Sequence, residues 1–242
     1  MHEPSEYQQE YQPARTPAQP VAVAVPALLG INILVFIFTA LSGGLDGPTE
    51  AGVLWAPGVW DGEWWRLLTS MFLHANILHI GFNMWALYTL GNELEKIYGT
   101  PRFLLLYFGA GWAGSLASLM FTGASVGASG AIFGLAGAWL AISLQHRRYF
   151  KMFGSQVLTV VLINLFIGFG MGSMIDNNAH IGGLLGGLAL GMVLSNRLPE
   201  FQAGWRRAVT IAVVIALLAA TPLATDFSRQ HLGAKMTGQS SE

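Results

Sequence analysis

The chain has 242 residues, of which 53% are hydrophobic and 10% are charged, and its mean hydropathy is +0.50. This composition excludes a disordered protein and a coiled coil, and a net charge of −1 leaves no basic field for nucleic acid. The lack of cysteine excludes disulfides, thiolate metal sites and a cysteine nucleophile. The 30 glycines and 8 tryptophans are typical of a polytopic helical membrane protein.

The predicted elements begin with a disordered tail over residues 1–20, which are polar and rich in Glu, Gln and Pro. Seven apolar stretches follow as candidate membrane spans: 21–41, 71–94, 103–122, 128–144, 157–171, 179–194 and 208–224. Several are shorter than about 20 residues or contain polar groups, so hydropathy alone leaves their number open. Residues 42–70 predict an amphipathic loop in the membrane interface. Its proposed interfacial anchors are Trp55, Trp60, Trp64 and Trp65.

The distribution of basic residues supports seven spans and a cytoplasmic N-terminus. With that arrangement, nine basic residues lie on the cytoplasmic side: Arg15, Lys96, Arg102, Arg147, Arg148, Lys151, Arg197, Arg206 and Arg207. Three lie outside: Arg66, Arg229 and Lys235. This asymmetry obeys the positive-inside rule. The sequence therefore predicts an all-α polytopic membrane protein with seven transmembrane helices.

The second predicted span contains polar side chains at membrane depth, which are costly there and indicate function. His79 and Asn83 are four residues apart and therefore share one helix face. His74 lies further toward the outside, and an alternative interpretation is that His74 and Asn76 cap the helix near the lipid headgroups. The spacing of the two histidines is poor for a metal site and no carboxylate lies near, so no metal is expected.

The fourth predicted span begins at Ser129, where a glycine-rich loop becomes a helix. Gly127 permits the turn without a Cβ clash. A helix start leaves backbone N–H groups unpaired and carries a positive dipole end, which are the properties of an oxyanion site. The alternative is a plain serine N-cap. The nucleophile elbow of soluble hydrolases does not match, because residue 131 is alanine and no strand pattern precedes the serine.

The sixth predicted span has a ridge of small residues with a histidine at its outer end. The ridge consists of Gly183, Gly187 and Gly191, and His180 lies on the same face at 100° per residue. The fourth span has its own small face, formed by Gly130, Gly134 and Gly137. If the two ridges meet, Ser129 and His180 lie side by side. The alternatives are that the glycines serve packing alone and that His180 caps the helix end.

Together these polar residues favour acyl-transfer chemistry. His180 can accept the proton of Ser129 as a general base and return it to a leaving amine. His79, Asn83 and the backbone N–H of Ser129 can donate hydrogen bonds to an oxyanion. Asp176 is the only carboxylate near His180 and lies at the loop edge, so we expect a two-residue Ser–His dyad.

Five short motifs occur in order along residues 21–200. They are Trp65-Arg66, His74-x4-His79-x3-Asn83, Glu93-Leu-Glu95, Gly127-Ala-Ser129-Gly130 and Ala179-His180-x2-Gly183-x3-Gly187. As a set, these motifs resemble those of the rhomboid family of intramembrane serine proteases. The resemblance implies a six-helix core over 21–200 with an active site open to the extracytoplasmic face. It also implies an extra C-terminal transmembrane helix over 201–228, followed by a short extracytoplasmic tail over 229–242.

The resemblance also assigns roles to individual residues. It implies Ser129 as nucleophile and His180 as general base. It implies that His79 and Asn83 are oxyanion donors and that Gly127 shapes the adjoining loop. The residues with implied structural roles are His74, Trp65, Arg66 and Glu95. Phe133 stands where some members have tyrosine, so we expect its ring to stack on the histidine without a hydrogen bond.

We therefore expect an endopeptidase in the cell membrane that cleaves single-span transmembrane proteins near the extracytoplasmic surface. Its partners would be those substrates and the lipid bilayer, with no cofactor, metal or nucleic acid. One alternative is a catalytically silent rhomboid-like protein that binds and escorts membrane proteins, against which Ser129 and His180 argue. A small transporter is a second alternative, but the ionisable groups cluster near one face and form no path across the bilayer.

Overall fold

The computed structural model describes residues 21–145, 175–194 and 203–238, with isolated positions at 157, 159, 161 and 162. The predicted tail 1–20 and most of the predicted span 157–171 lie outside the described residues. The helices within them are α1 (Ala24–Leu41), α2 (Ala56–Trp60), α3 (Arg66–Thr69), α4 (Ile77–Tyr98), α5 (Thr100–Phe121), α6 (Ser129–Gln145), α7 (Asn177–Leu194) and α8 (Ala203–Gly238).

Among the described residues, three helical stretches are long and apolar enough to cross a membrane: Ala24–Leu41, Thr100–Phe121 and Ala208–Lys235. Ser129–Gln145 is apolar but shorter. The helix α4 contains polar and charged side chains, and α7 opens with two asparagines. Length and composition thus support a mostly helical membrane protein, and the total of seven spans stays a prediction.

The first helix begins against a carboxylate that belongs to another helix. Glu95, near the end of α4, accepts hydrogen bonds from the backbone N–H groups of Val23 (2.9 Å), Ala24 (2.8 Å) and Val25 (2.9 Å). The hydroxyl of Thr100 donates a further bond of 2.6 Å to the same side chain, which is buried. These contacts satisfy N–H groups that a helix start leaves unpaired, and they fix α1 against α4.

The loop between α1 and α4 contains short ordered elements. The 3-10 turns are Gly44–Asp46, Glu50–Gly52 and Ser70–Phe72. The strand β1 (Leu54–Trp55) pairs antiparallel with β2 (Ala124–Ser125), just ahead of Ser129. No strand pattern precedes Ser129 in the sequence, because a two-residue strand is too short to produce an alternating pattern.

Arg66 and Trp65 hold this loop together from within. The Arg66 guanidinium pairs with Glu63 at 2.5 Å and donates to the carbonyls of Glu50 (2.7 Å) and Val53 (2.8 Å). The indole N–H of Trp65 donates to the carbonyl of Ala51 at 2.9 Å. Both side chains thus donate to backbone carbonyls of the loop and hold its segments together.

Three of the four loop tryptophans, Trp55, Trp64 and Trp65, are about half exposed, whereas Trp60 is partly buried. The indole N–H of Trp60 donates to the hydroxyl of Ser228 in α8 at 3.1 Å, and its carbonyl accepts a bond from Arg229. The Ser228 hydroxyl also donates to the carbonyl of Leu119 at 2.6 Å. The helix α8 extends beyond the predicted span 208–224, and these contacts join it to the loop and to α5.

The helix α7 packs between α5 and α6, so closely that backbone atoms of neighbouring helices are in contact. A Cβ atom added at Gly183 or Gly187 would collide with the backbone of Gly130 or Gly134, respectively. The two predicted glycine ridges therefore meet. A second small face of α7, which the sequence analysis did not identify, packs Gly182 and Gly186 against alanines of α5.

Gly187→Leu should destabilise the protein because its side chain would displace the α6 backbone at Gly134. Overpacking of this kind typically costs about 1–3 kcal/mol, so the melting temperature in detergent should fall. Gly81→Leu is the matched control, because a Cβ at this exposed helical position meets nothing within 4 Å. Equal melting temperatures for the two variants would contradict the ridge contact.

Glu95→Ala should lower the melting temperature because it strips the acceptors from three backbone N–H groups at the start of α1. Leaving a buried donor unsatisfied costs about 1–3 kcal/mol. Glu93→Ala serves as the control, since it removes a carboxylate from the same helix end whose partner is an exposed Lys96. We expect little change there. A control that loses as much stability as Glu95→Ala would refute the capping role.

Candidate active site

The structure brings Ser129 and His180 into direct contact. The Ser129 Oγ atom lies 2.9 Å from the Nε2 atom of His180. Ser129 is the first residue of α6 and His180 belongs to the first turn of α7. The two side chains therefore lie next to each other at the N-terminal ends of the paired glycine ridges. The hydroxyl is directed at the imidazole, which is the arrangement of a serine with its general base.

The imidazole of His180 is held in one orientation by an aromatic ring. The rings of Phe133 and His180 stack with centroids 4.1 Å apart and an angle of 6° between their planes. Phe133 lies about one helical turn after Ser129, so α6 supplies both the serine and the surface on which the histidine rests. His180 itself is buried at 7% exposure, which limits other ring orientations.

Gly127, His79 and Asn83 converge beside this pair. Gly127 has φ +122°, and a Cβ atom there would lie 2.6 Å from the His79 Nε2 atom and 3.8 Å from the Asn83 Nδ2 atom. The backbone conformation and the space therefore both require glycine. The N–H of Gly127 donates to the carbonyl of Ser70 at 2.9 Å, which fixes the loop next to the two side chains.

His74 and Asn76 differ in what they do at the start of α4. The Asn76 side chain accepts a bond from the His79 N–H at 2.9 Å and caps the helix, in agreement with the alternative interpretation. His74 is buried at 1% exposure and its ring packs edge-on against His79, with centroids 5.1 Å apart. The suggestion that His74 caps the helix is therefore wrong, because its ring packs under His79.

A polar bridge that was not predicted from the sequence joins α5 and α7. The Asp176 Oδ1 atom accepts bonds from the Ala179 N–H (3.1 Å) and from the hydroxyl of Thr122 (2.9 Å). The Asn178 amide donates to the same hydroxyl at 3.0 Å. An aspartate three residues before Ala179 fits the N-cap pattern, so this role was readable from the sequence.

The arrangement has the parts of an acyl-transfer site. A serine and a histidine are within hydrogen-bond distance, and potential donors lie beside them at a helix start. In the described part of the chain, no cluster of three His, Asp or Glu side chains is placed to hold a metal ion. The alternative interpretation, that Ser129 serves only as a helix cap, does not explain its contact with His180.

A comparison with protein families matches residues 61–197 to the Rhomboid domain. Among curated proteins, the chain is 41% identical over 197 residues to "Rhomboid protease GluP" of Bacillus subtilis, covering 78% of this chain and 38% of that protein. It is 33% identical over 176 residues to "Putative rhomboid protease YdcA" of the same organism, covering 69% of this chain and 85% of that protein.

A plant relative is similar over a shorter part. The chain is 41% identical over 156 residues to "RHOMBOID-like protein 6, mitochondrial" of Arabidopsis thaliana, covering 62% of this chain and 49% of that protein. The chain thus spans less than half the length of this relative and of GluP. The matched residues contain all the side chains that converge at the site described above.

Proposed function

The chain belongs to the rhomboid family, and we propose that it is an intramembrane serine endopeptidase that works through a dyad of Ser129 and His180. It is a multi-pass membrane protein, and relatives named as proteases support peptide-bond hydrolysis. The observation that carries the proposal is the 2.9 Å contact between the Ser129 hydroxyl and the His180 Nε2 atom.

In this mechanism the Ser129 hydroxyl donates to Nε2, so the neutral imidazole carries its proton on Nδ1. As the serine oxygen attacks the scissile carbonyl carbon, its proton passes to Nε2. The imidazolium then protonates the leaving amine, and an acyl-enzyme remains on Ser129. Water, deprotonated by the same histidine, hydrolyses that ester and restores the hydroxyl. Stacking on Phe133 keeps Nε2 aimed at the serine through these steps.

The oxyanion of each tetrahedral intermediate would accept bonds from His79, Asn83 and the Ser129 N–H. The Nδ2 group of Asn83 uses one hydrogen for the His79 carbonyl at 3.0 Å, which leaves its second hydrogen for the oxyanion. The missing side chain of Gly127 leaves the space in which His79 and Asn83 converge. Donors fixed before reaction need no reorganisation as charge develops, which is the usual source of such stabilisation.

Contacts at the two ends of the helices support the seven-span topology. One end contains the loop and the starts of α6 and α7, and the Trp60–Ser228 bond puts the later part of α8 there. The other end contains the Glu95 cap of α1 and the Tyr98 hydroxyl bond to the Gly191 carbonyl (3.1 Å). Because α6 and α7 start at the same end, the chain must return between them, and we assign that return to the predicted span 157–171.

With the N-terminus in the cytoplasm, as the basic residues predict, the end of the helices that contains Ser129 lies on the extracytoplasmic side of the membrane. We propose that the substrates are single-span transmembrane proteins cut near that surface. A transmembrane helix hides its carbonyls in hydrogen bonds, so a cleavable segment must unwind. Glycine, proline and other weak helix formers near the cut, with a small residue before it, fit this requirement.

The Ser129→Ala and His180→Ala variants should each abolish cleavage, and the double variant should be no slower than either single one. Residues that act as one unit are strongly non-additive, because the second loss has nothing left to remove. The measurement is product formation from a labelled transmembrane peptide in detergent, with unchanged melting temperatures as the control for folding. Near wild-type turnover by Ser129→Ala would contradict the mechanism, whereas the absence of cleavage by the wild type would favour a silent, substrate-binding protein.

Asn83→Ala should slow the reaction by about tenfold to a hundredfold in kcat and leave KM nearly unchanged. Removing one oxyanion donor of a soluble protease costs about 10²–10³, and here His79 and a backbone N–H would remain. The bond forms mainly in the transition state, so the ground-state affinity is spared. A large rise in KM with unchanged kcat would instead make Asn83 a substrate-binding residue.

A further inference from the structure

We propose that Asp176 is a positioning residue for His180, whose negative charge stabilises the protonated imidazole during turnover. The inference rests on the proposed dyad mechanism and adds a third residue that acts through the histidine. It assigns the Asp176 carboxylate two tasks. One carboxylate oxygen caps α7 and joins it to α5. The negative charge of the carboxylate offsets the electrostatic cost of forming the His180 imidazolium during turnover.

That cost follows from the position of His180 in α7. The helix begins at Asn177, so the histidine lies within its first turn. The N-terminal end of a helix carries a partial positive charge of roughly half a unit, which disfavours cations close to it. The mechanism nevertheless requires His180 to become an imidazolium there, twice in each turnover. A neutral cap would leave that penalty in place.

Asp176 lies at a position where a carboxylate relieves this penalty, directly before the first residue of α7. Its backbone carbonyl accepts the His180 N–H at 3.2 Å, so the two residues are one helical turn apart. The Oδ1 atom is fixed by Ala179 and Thr122. The charge therefore cannot swing away from the helix end without losing both bonds.

Asp176 and His180 each have one buried polar atom that makes no hydrogen bond to a described residue. The Oδ2 atom of Asp176 and the Nδ1 atom of His180 are both buried, and neither has a hydrogen-bond partner among the described residues. A buried carboxylate oxygen interacts with a nearby cation more strongly than an exposed one does. Capping alone does not explain the aspartate, because asparagine and serine cap helices about as well.

The test separates the charge of Asp176 from its cap. Asp176→Asn keeps the Oδ1 acceptor and removes the charge, whereas Asp176→Ala removes both. We expect Asp176→Asn to lower the melting temperature less than Asp176→Ala does and to keep KM, but to lose about 3- to 30-fold in kcat, the range expected for a charge at a partly buried helix end. Asp176→Ala should lower both the melting temperature and kcat. Asp46→Asn removes the same charge from an exposed loop position and should leave kcat unchanged.

The rate at which a fluorophosphonate labels Ser129 gives a second readout that needs no peptide substrate. Labelling of the wild type reports the proposed function by itself, and the ratio of variant to wild type reports the role of Asp176. This ratio should fall in Asp176→Asn by the same factor as kcat. Wild-type rates in Asp176→Asn would overturn the inference. So would a drop in melting temperature as large as that of Asp176→Ala, since it would reduce Asp176 to a cap.

Discussion

The contact between the backbones of α6 and α7 is the constraint on which the rest of this structure depends. Lipid tails are as apolar as leucine, so helices in a membrane associate through close packing and not through the expulsion of water. Here Gly183 and Gly187 meet the backbone of Gly130 and Gly134. Ser129 and His180 lie at the ends of those two ridges, so the contact that stabilises the helix pair also sets the distance between the serine hydroxyl and the imidazole.

The end of the molecule that contains Ser129 is tied together by polar contacts. The loop after α1 is fixed internally by Arg66, pairs with the strand ahead of Ser129, and accepts the Gly127 N–H at the Ser70 carbonyl. Trp60 attaches the last helix to the same layer. Such a layer suits a site at a helix start, because hydrogen-bond donors must be aimed before charge develops.

The site was largely readable from the sequence, since its residues belong to helices whose faces follow from a regular period. The small faces of α6 and α7, and the place of His180 on the face of α7, follow from 100° per residue, and the structure shows that these faces meet. What escaped prediction are contacts between segments distant in the sequence: the Thr122–Asp176 bridge, the β1–β2 pair and the Trp60–Ser228 bond. No local pattern encodes which carbonyl or hydroxyl a loop side chain will meet.

We propose that His180 makes the Ser129 hydroxyl nucleophilic. This proposal can be tested by treating the detergent-purified protein with a fluorophosphonate and locating the adduct by mass spectrometry of its peptides. We expect one adduct, on Ser129 in the wild type, and none in His180→Ala. An adduct at another residue, or equal modification of Ser129 with and without the histidine, would show that His180 does not activate Ser129.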